Sequence, residues 1–455
     1  MKKVCFCGIS GSGMCALAQL LKYQGVDVSG SDRSFDQGKD AENKAKLENF
    51  GIRIFPQDGS AIQSDTDCLY VSTAVEDTIA DVKKAKELGI SIKKRSDLLA
   101  EIFNASKYGI AVGGTSGKTT VTAMIGFVLD KLGYNPLMIN GGLLKNYEDK
   151  NFIPNVILNE NSDICVVEAD ESDGSIEKYV PYIAVVNNIT IDHKTIPELQ
   201  ELFSNFVSKA IKGAVVNLDC QNSKALYGKH QNLVTFSAKD KNADVFVSDI
   251  IPIKNGVQYC LDNKKYYLNL IGKFNVLNAA CTMAALKLLG IDMHETALAL
   301  QEFLSTKRRL DVIGIKNNVT VIDDFAHNPD KVAASMSALR DYEGRLLVMF
   351  QPHGFSPMRM MGREIMQSFA KYMQSDDMLF VPEIFYAGGS VKKDISSLDL
   401  VNYAKTLGVN AEFYQTRDEI KDKIVKMAKA GDRVVIMGAR DNSLPIFCKN
   451  ILSEV

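Results

Sequence analysis

The sequence lacks the features that mark several classes of protein. No apolar run approaches the roughly 18 residues that a membrane-spanning helix needs. The formal net charge is only −2, which argues against binding to nucleic acids or insertion at anionic membranes, because both favour a basic face. No cysteine pair shows zinc spacing with a second pair, and the sequence holds no internal repeat or proline-rich linker; we also expect no targeting segment. We therefore expect a cytoplasmic globular protein whose cysteines are buried and reduced.

The order of predicted elements indicates an α/β protein. Strand-like and helix-like stretches alternate along the chain, which is typical of parallel sheets with crossover helices. The strand-like runs are 3–7, 26–30, 68–72, 108–112, 164–168, 183–187, 319–323, 345–350, 378–381 and 434–437. The helix-like stretches are 14–23, 40–49, 121–132, 199–212 and 276–289. Segment 245–268 alternates in polarity and predicts an antiparallel insert.

The most informative stretch lies between the strand 108–112 and the helix 121–132. Its residues are Gly113, Gly114, Thr115, Ser116, Gly117, Lys118, Thr119 and Thr120. In such a turn the backbone N–H groups and the helix N-terminus face phosphates, Lys118 supplies a point charge and the Thr119 hydroxyl can hold Mg²⁺. The first glycine is displaced from the general phosphate-loop spacing, and a shortened loop of this kind is more specific. The stretch predicts binding of a nucleoside triphosphate.

A second glycine turn follows the first strand. It runs from Gly8 to Gly13 in the order GxxGxG, and Asp32 ends the next strand. A helix N-terminus placed there suits the diphosphate of a dinucleotide such as NAD or of a nucleotide-diphosphate sugar, and Asp32 would suit a ribose hydroxyl in either. A purely structural turn is also compatible with this motif alone.

Five segments together resemble the Mur ligase family, the three-domain ATP-dependent amide-forming enzymes of peptidoglycan synthesis. The segments are 114–120, 168–173, 187–193, 275–280 and 323–329, and the resemblance runs essentially end to end. It implies ATP and Mg²⁺ as cofactors. It also implies that the first glycine turn binds a UDP-sugar, which counts against NAD.

Within the family, three motifs are most similar to the branch that joins L-alanine to UDP-N-acetylmuramate. They are 8–14 with 29–32, 168–173, and 350–353. The resemblance therefore implies UDP-N-acetylmuramate and an amino acid as substrates. A related branch, which attaches a preformed tripeptide in wall recycling, shares the first two motifs.

Four positions depart from the alanine-adding pattern. Ser116 and Phe274 stand where histidines are usual. Lys194 and Thr195 stand where an aspartate is usual, and Gly354 replaces an arginine. Arginines in that last loop are expected to hold the carboxylate of the incoming amino acid. Arg359 or Arg363 could substitute, so the acceptor stays open.

The resemblance implies roles for individual residues. The catalytic set is Lys118, Glu168, His193, Arg309 and His327. Expected ATP ligands besides residues 114–120 are Asn275, Asn278 and Asp323, and amine-substrate ligands are His353 and Arg359. The UDP-sugar set is Gly11, Ser12, Gly13, Met14, Asp32, Ser72 and Thr73.

We expect two metal sites in the central part of the chain. Glu168 ends an apolar strand and His193 lies just beyond the next strand, so adjacent parallel strands would bring both to one sheet edge. Thr119 and Glu168 are assigned to the Mg²⁺ of ATP, and Glu168 with His193 to a second metal ion.

The chain has 455 residues, which suggests three domains at about 150 residues each. We predict a Rossmann-like UDP-sugar domain over 1–107, a central P-loop ATPase domain with a parallel sheet over 108–306, and a Rossmann-like C-terminal domain over 307–455. Segment 98–107 is expected to link the first two, and the protein to be a monomer or homodimer.

Three alternatives remain open from the sequence. The recycling tripeptide ligase, or a Mur-like ligase with another amine, would account for Gly354. A nucleotide-binding scaffold that has lost turnover would account for Ser116, Lys194 and Phe274. A dehydrogenase is the most distant alternative.

Overall fold

The computed structural model describes residues 2–72, 75–148, 150–159, 161–172, 174–191, 194–386 and 392–455. The chain forms two compact units. The first comprises Met1–Asp249, Tyr259–Leu268 and Val276–Thr306, and the second Ile250–Gln258, Asn269–Asn275 and Lys307–Val455. In the described part of the chain, no helix combines the length and the apolar character that crossing a bilayer requires.

The first unit begins with a five-stranded parallel sheet of order β3-β2-β1-β4-β5. Its strands are β1 (Lys3–Cys7), β2 (Asp27–Ser31), β3 (Arg53–Phe55), β4 (Cys68–Val71) and β5 (Ser91–Lys94). Its helices are α1 (Ser12–Tyr23), α2 (Arg33–Asp36), α3 (Ala41–Asn49), α4 (Ala80–Glu87) and α5 (Arg95–Ala105). The sheet has the parallel crossover pattern that the sequence predicted.

Segment 98–107 is not a linker, contrary to the prediction. Most of it belongs to α5, at whose start the Asp97 carboxylate accepts a hydrogen bond from the Lys94 N–H at 3.1 Å. Leu98, Leu99 and Phe103 belong to the same helix, and their side chains are buried. Burial of this apolar face makes the segment a helix of the first sheet rather than a connection.

A ten-stranded sheet follows, in the order β15-β14-β13-β12-β11-β10-β6-β9-β7-β8. Its strands are β6 (Tyr108–Gly113), β7 (Leu137–Ile139), β8 (Val156–Ile157), β9 (Ile164–Glu168), β10 (Ile183–Val186), β11 (Gly213–Asn217), β12 (Leu233–Ser237), β13 (Val245–Ile253), β14 (Gly256–Leu261) and β15 (Lys264–Leu268). Its helices are α6 (Lys118–Lys131), α7 (Ile196–Ser208), α8 (Phe274–Leu288) and α9 (Met293–Leu300). Short 3₁₀ helices cover Lys145–Tyr147, Ser175–Lys178 and Gln221–Leu226.

Two details of this sheet bear on the predictions. Two residues separate β13 from β14 and β14 from β15, a connection that only antiparallel neighbours allow, as predicted for the insert. However, β9 and β10 are not adjacent, because β6 pairs with both of them. The expectation that Glu168 and His193 follow adjacent strands is therefore wrong.

The second unit contains a six-stranded sheet of order β16-β17-β21-β18-β19-β20, parallel except for β16. Its strands are β16 (Asp311–Lys316), β17 (Val319–Asp324), β18 (Leu346–Phe350), β19 (Met378–Pro382), β20 (Ala411–Tyr414) and β21 (Arg433–Met437). Its helices are α10 (Pro329–Arg340), α11 (Phe355–Tyr372), α12 (Ser397–Thr406), α13 (Arg417–Met427) and α14 (Leu444–Glu454). The predicted α/β class is confirmed in all three sheets.

A buried polar network joins the first two sheets within the first unit. The Asn155 amide donates to the Ser12 carbonyl at 2.6 Å and lies 3.1 Å from Cys15 Sγ. Gln19 donates to Asn155 Oδ1 at 3.3 Å and accepts from the Ile153 N–H at 2.7 Å. Asn155 and Gln19 have no exposed surface. Because buried polar groups cost free energy when unpaired, this network fixes how α1 meets the central sheet.

All nine cysteines are free, and eight of them are buried. Burial raises the pKa of the Cys5, Cys7, Cys15 and Cys165 thiols to about 12. The predicted buried, reduced thiols agree with this arrangement.

Candidate active site

The phosphate loop lies between β6 and α6 in a conformation that requires glycine at two positions. Gly114 and Gly117 have φ of +124° and +84°. A Cβ atom at Gly114 would lie 3.1 Å from the Asn188 backbone, and one at Gly117 would overlap the Asn187 amide. Asn188 Oδ1 accepts hydrogen bonds from the Ser116 N–H at 2.9 Å and the Thr115 hydroxyl at 3.0 Å. The loop is thus held against the segment that follows β10.

Lys118 is paired with a buried carboxylate. Its Nζ donates to both oxygens of Glu171, at 3.0 and 2.8 Å, and to the Gly114 carbonyl at 2.7 Å. The Glu171 side chain is only 4% exposed and that of Lys118 16%. The lysine that the sequence assigns to the phosphates is therefore oriented by Glu171, a residue to which the sequence prediction gave no individual role.

Thr119 and Glu168 are brought together, as expected for a shared cation site. The Thr119 hydroxyl donates to Glu168 Oε2 at 3.1 Å, and the Gly141 N–H donates to Oε1 at 2.5 Å. A Cβ atom at Gly141 would lie 2.8 Å from Glu168 Oε1. A hydroxyl and a carboxylate oxygen are ligands that Mg²⁺ prefers, so these residues fit the metal.

The second metal ion was assigned to a residue that the structure does not describe. His193 and Asp192 lie outside the described residues. No cluster of three or more His, Cys, Asp or Glu side chains suited to a metal ion occurs in the ranges that are described.

The first glycine turn is closed by Asp32. Asp32 Oδ2 accepts from the Ser10 N–H at 2.9 Å and the Ser10 hydroxyl at 2.7 Å. Asp32 Oδ1 accepts from the Ser34 N–H at 2.9 Å and the Ser34 hydroxyl at 2.7 Å, which caps α2. Asp32 therefore supports the turn. Gly11 precedes α1 as its N-cap.

The remaining residues predicted for the UDP-sugar site lie around the same turn. Ser12, Gly13 and Met14 form the first residues of α1, with Met14 buried. Ser72 follows β4, and its hydroxyl would lie 3.0 Å from a Cβ atom at Gly8. Thr73 lies outside the described residues.

Arg95 is a candidate that the sequence did not single out. A Cβ atom at Gly13 would lie 3.0 Å from Arg95 Nη1. Burial raises the pKa of Asp170, but the hydrogen bonds from Ser172 and the charges of Lys118 and Arg95 outweigh it and hold that pKa below its usual value. Arg95 thus lies beside both the glycine turn and the acidic motif, and no spacing signal along the chain marks it.

The two asparagines predicted at the adenine side are buried on α8. Asn278 Oδ1 accepts from the Asn187 amide at 2.9 Å. The Asn275 amide donates to the Ile271 carbonyl at 2.8 Å. Thr120 is also buried, in the first turn of α6.

In the second unit, Asp323 lies beneath the sheet edge rather than at a surface. It has no exposed surface, and one carboxylate oxygen is 3.5 Å from Arg308 Nε. Burial raises the pKa of Asp323 to about 7, while the Arg308 charge acts in the opposite direction. Arg308 and Arg309 lie with their guanidinium carbons 4.9 and 5.4 Å from the Phe325 ring centre. Direct contact between Asp323 and ATP would require this carboxylate to become exposed.

His327 and His353 meet at the carboxyl edge of the six-stranded sheet. Their ring centres are 5.5 Å apart. Burial lowers the pKa of His327 to about 4 and also lowers that of His353. His327 Nδ1 is 2.8 Å from the Phe325 carbonyl, so it carries the proton and Nε2 is an acceptor. Both imidazoles are neutral at physiological pH.

Arg359, predicted to bind the amine substrate, is engaged elsewhere. Its Nη1 forms a close ion pair with Asp394 and donates to the Lys392 carbonyl at 3.0 Å. Neither of these contacts involves the histidine pair.

Three family models match the chain in succession. They are the Mur ligase family catalytic domain over residues 3–107, the Mur ligase middle domain over 112–286, and the Mur ligase glutamate ligase domain over 308–440.

Similar proteins cover nearly the whole chain. The UDP-N-acetylmuramate--L-alanine ligase of Sulfurihydrogenibium sp. is 33% identical over 450 residues, covering 96% of this chain and 95% of the relative. The ligase of the same name from Dictyoglomus turgidum is 33% identical over 452 residues, covering 96% and 94%.

Solved structures show the same fold. The UDP-N-acetylmuramate-alanine ligase of Thermotoga maritima has a TM-score of 0.81 at 24% identity, covering 100% of this chain and 99% of that chain. The murein peptide ligase of Psychrobacter arcticus has a TM-score of 0.69 at 23% identity, covering 100% and 98%.

Proposed function

Because the chain belongs to the Mur ligase family, we propose that it is an ATP-dependent ligase joining L-alanine to UDP-N-acetylmuramate in peptidoglycan precursor synthesis. The observation that carries this proposal is the convergence of Lys118, Thr119 and Glu168 on one phosphate loop. The relatives that are 33% identical end to end and named for this reaction support it.

The reaction requires an activated carboxylate. A carboxylate oxygen of the sugar acid attacks the γ-phosphorus of ATP, the bond to the bridging oxygen breaks, and ADP leaves. The amine nitrogen then attacks the acyl carbon, phosphate leaves and the amine loses a proton. The nucleophile and the triphosphate are both anionic, so the protein contributes mainly by positioning them and by offsetting their repulsion.

The first unit supplies the groups for phosphoryl transfer. The turn around Gly114 and Gly117 directs backbone N–H groups at the phosphates, and Lys118 adds a positive charge. Thr119 and Glu168 are the residues that would hold Mg²⁺, which neutralises charge on the β- and γ-phosphates when bound. His193, outside the described residues, stays a prediction for a second metal ion.

The binding sites for the other substrates are part of the same proposal. The turn that ends at Gly13 offers the N-terminus of α1 to the diphosphate of the UDP-sugar, with Asp32 bracing it. In the second unit, His327 and His353 face the amine substrate, and Arg309 stays assigned to the γ-phosphate. The domain boundaries at 107/108 and 306/307 also stay a prediction.

One measurement tests the function. Phosphate release from MgATP is followed with UDP-N-acetylmuramate present while L-alanine, other amino acids or the recycling tripeptide are added singly, and mass spectrometry identifies the amide. Release that depends on L-alanine and disappears in Lys118→Ala is the expected result. Release with the tripeptide alone would favour the recycling reaction, and nucleotide binding without release under any condition would favour a scaffold.

A further inference from the structure

Three neighbouring parallel strands of the six-stranded sheet end in register. Met437, the last residue of β21, pairs with the last residue of β17 on one side and of β18 on the other. The residues three positions beyond these strand ends are His327, Arg440 and His353. The three residues therefore lie in neighbouring loops at the carboxyl edge, where ligands of parallel α/β sheets bind.

The loops that carry these residues lie close together. The Gln351 N–H donates to the Met437 carbonyl at 2.8 Å. A Cβ atom at Gly438 would lie 2.9 Å from Gln351 Cβ, so the segment leading to Arg440 packs directly on the segment leading to His353. The charge of Arg440 adds to burial in lowering the pKa of His353.

Arg440 has an unusual backbone and an unopposed charge. It is exposed, and its φ is +63°, a left-handed conformation that is unfavourable for a residue other than glycine. Neither a hydrogen bond nor an ion pair joins it to a residue in the described part of the chain. The neighbouring Asp441 carboxylate is taken by Arg417 at 2.8 Å and by Ser443. A strained, exposed cation at a sheet edge is a candidate for a binding role.

The other cations considered for this role are occupied. Arg359 is paired with Asp394, and Arg363 lies 5.2 Å from the Tyr403 ring centre. Position 354 is glycine with φ of +72°, and a Cβ atom there would lie 3.1 Å from the Pro357 ring. A side chain at that position would be strained, so the loop after His353 does not readily hold a cation there.

We propose that Arg440 binds the carboxylate of the incoming amino acid, with the imidazoles of His327 and His353 beside it. This inference rests on the proposed ligase function and names the specificity-determining residue of its amine-substrate site. The guanidinium suits a carboxylate because it donates two parallel hydrogen bonds. The neutral His327 Nε2 offers an acceptor to the amino group of the same molecule.

The test compares L-alanine with L-alaninamide, which lacks the carboxylate, at saturating MgATP and UDP-N-acetylmuramate. Arg440→Gly is suitable because glycine relieves the left-handed conformation. We expect the KM for L-alanine to rise about thirtyfold, the loss of a charge-assisted pair worth about 2 kcal/mol. The KM for ATP and the response to L-alaninamide should not change, and Arg440→Lys should recover part of the loss.

Two further variants show whether the effect is specific to Arg440. Lys449→Ala, which removes an exposed cation on α14, should leave all parameters unchanged. Arg359→Ala tests the competing assignment of Arg359 to the same carboxylate through the KM for L-alanine. A rise in that KM in Arg359→Ala without one in Arg440→Gly would overturn the inference, as would a rise confined to the KM for ATP, which would assign Arg440 to a phosphate.

A binding measurement tests the role of Arg440 separately from the proposed ligase activity. Saturation-transfer NMR compares amino acids and their amides on the wild type and Arg440→Gly. If the wild type prefers the acids and Arg440→Gly does not, the inference is supported. This holds even if no phosphate is released and the proposed function is wrong. Equal binding of acids and amides to the wild type overturns it.

Discussion

Replacing Glu171 by glutamine is expected to tighten the binding of MgATP. Both Glu171 oxygens hold the Lys118 ammonium, at 3.0 and 2.8 Å, with little exposure of either side chain. The phosphates must therefore compete with a carboxylate for the same cation, and they are repelled by its negative charge. A glutamine side chain at this position weakens both effects, because its amide carries no net charge.

The expected magnitude follows from the geometry. Opposite charges about 4 Å apart attract by about 4 kcal/mol at an effective dielectric of about 20. The cost of burying the pair and the remaining bond from Lys118 to Gly114 offset most of this attraction. A net gain of about 1–2 kcal/mol remains, which corresponds to binding that is about 5- to 30-fold tighter.

Isothermal titration calorimetry with a non-hydrolysable ATP analogue and Mg²⁺ measures the effect at fixed ionic strength. Glu177→Gln is the matched control, since Glu177 is exposed and lies in the next turn of the same segment. Without nucleotide, Glu171→Gln should also unfold at a lower temperature than the wild type, because a largely buried ammonium has lost its partner, and nucleotide should narrow the difference. Unchanged or weaker nucleotide binding in Glu171→Gln would refute the reasoning.

Two further predictions concern stability. Asn155→Ala should lower the free energy of unfolding by about 1–3 kcal/mol, since it leaves buried partners unpaired; urea unfolding followed by circular dichroism measures this, with the exposed Asn151→Ala as control. Burial, with the charges of Lys331 and Arg309, lowers the pKa of His327 from 6.5 to about 4. The unfolded chain therefore binds the extra proton between these values, so stability should rise as the pH increases from about 4 to 6.5. His327→Gln should make this rise in stability with pH less steep. An equally steep rise in the variant would show that His327 does not cause it.

The local parts of the site could be predicted from the sequence. The glycines and Lys118 of the phosphate loop are close in sequence, and their spacing alone defines the turn. The runs that became β1 and β9 were predicted with the bounds observed, because a buried parallel strand is a continuous apolar segment. Short strands with exposed ends, such as β5, carry no such signal.

Contacts between distant segments could not be predicted in this way. The partner of Lys118 is 53 positions away, in a loop whose acidic residues would ordinarily face water. The order of strands in the sheet, which places β6 between β9 and β10, is set by the crossover connections rather than by any local pattern. The same holds for Arg440, whose position becomes meaningful only once the register of β17, β21 and β18 is known.

The reactivity of the buried thiols reports when the structure around them opens. A thiol whose pKa is raised to about 12 is almost entirely protonated at neutral pH, and the thiolate is the form that alkylating reagents attack. Cys15 lies against Asn155, where α1 meets the central sheet. Its alkylation by a reagent such as iodoacetamide therefore requires α1 and the central sheet to separate. The rate of labelling of the Cys15 peptide, measured by mass spectrometry, gives the rate of that separation.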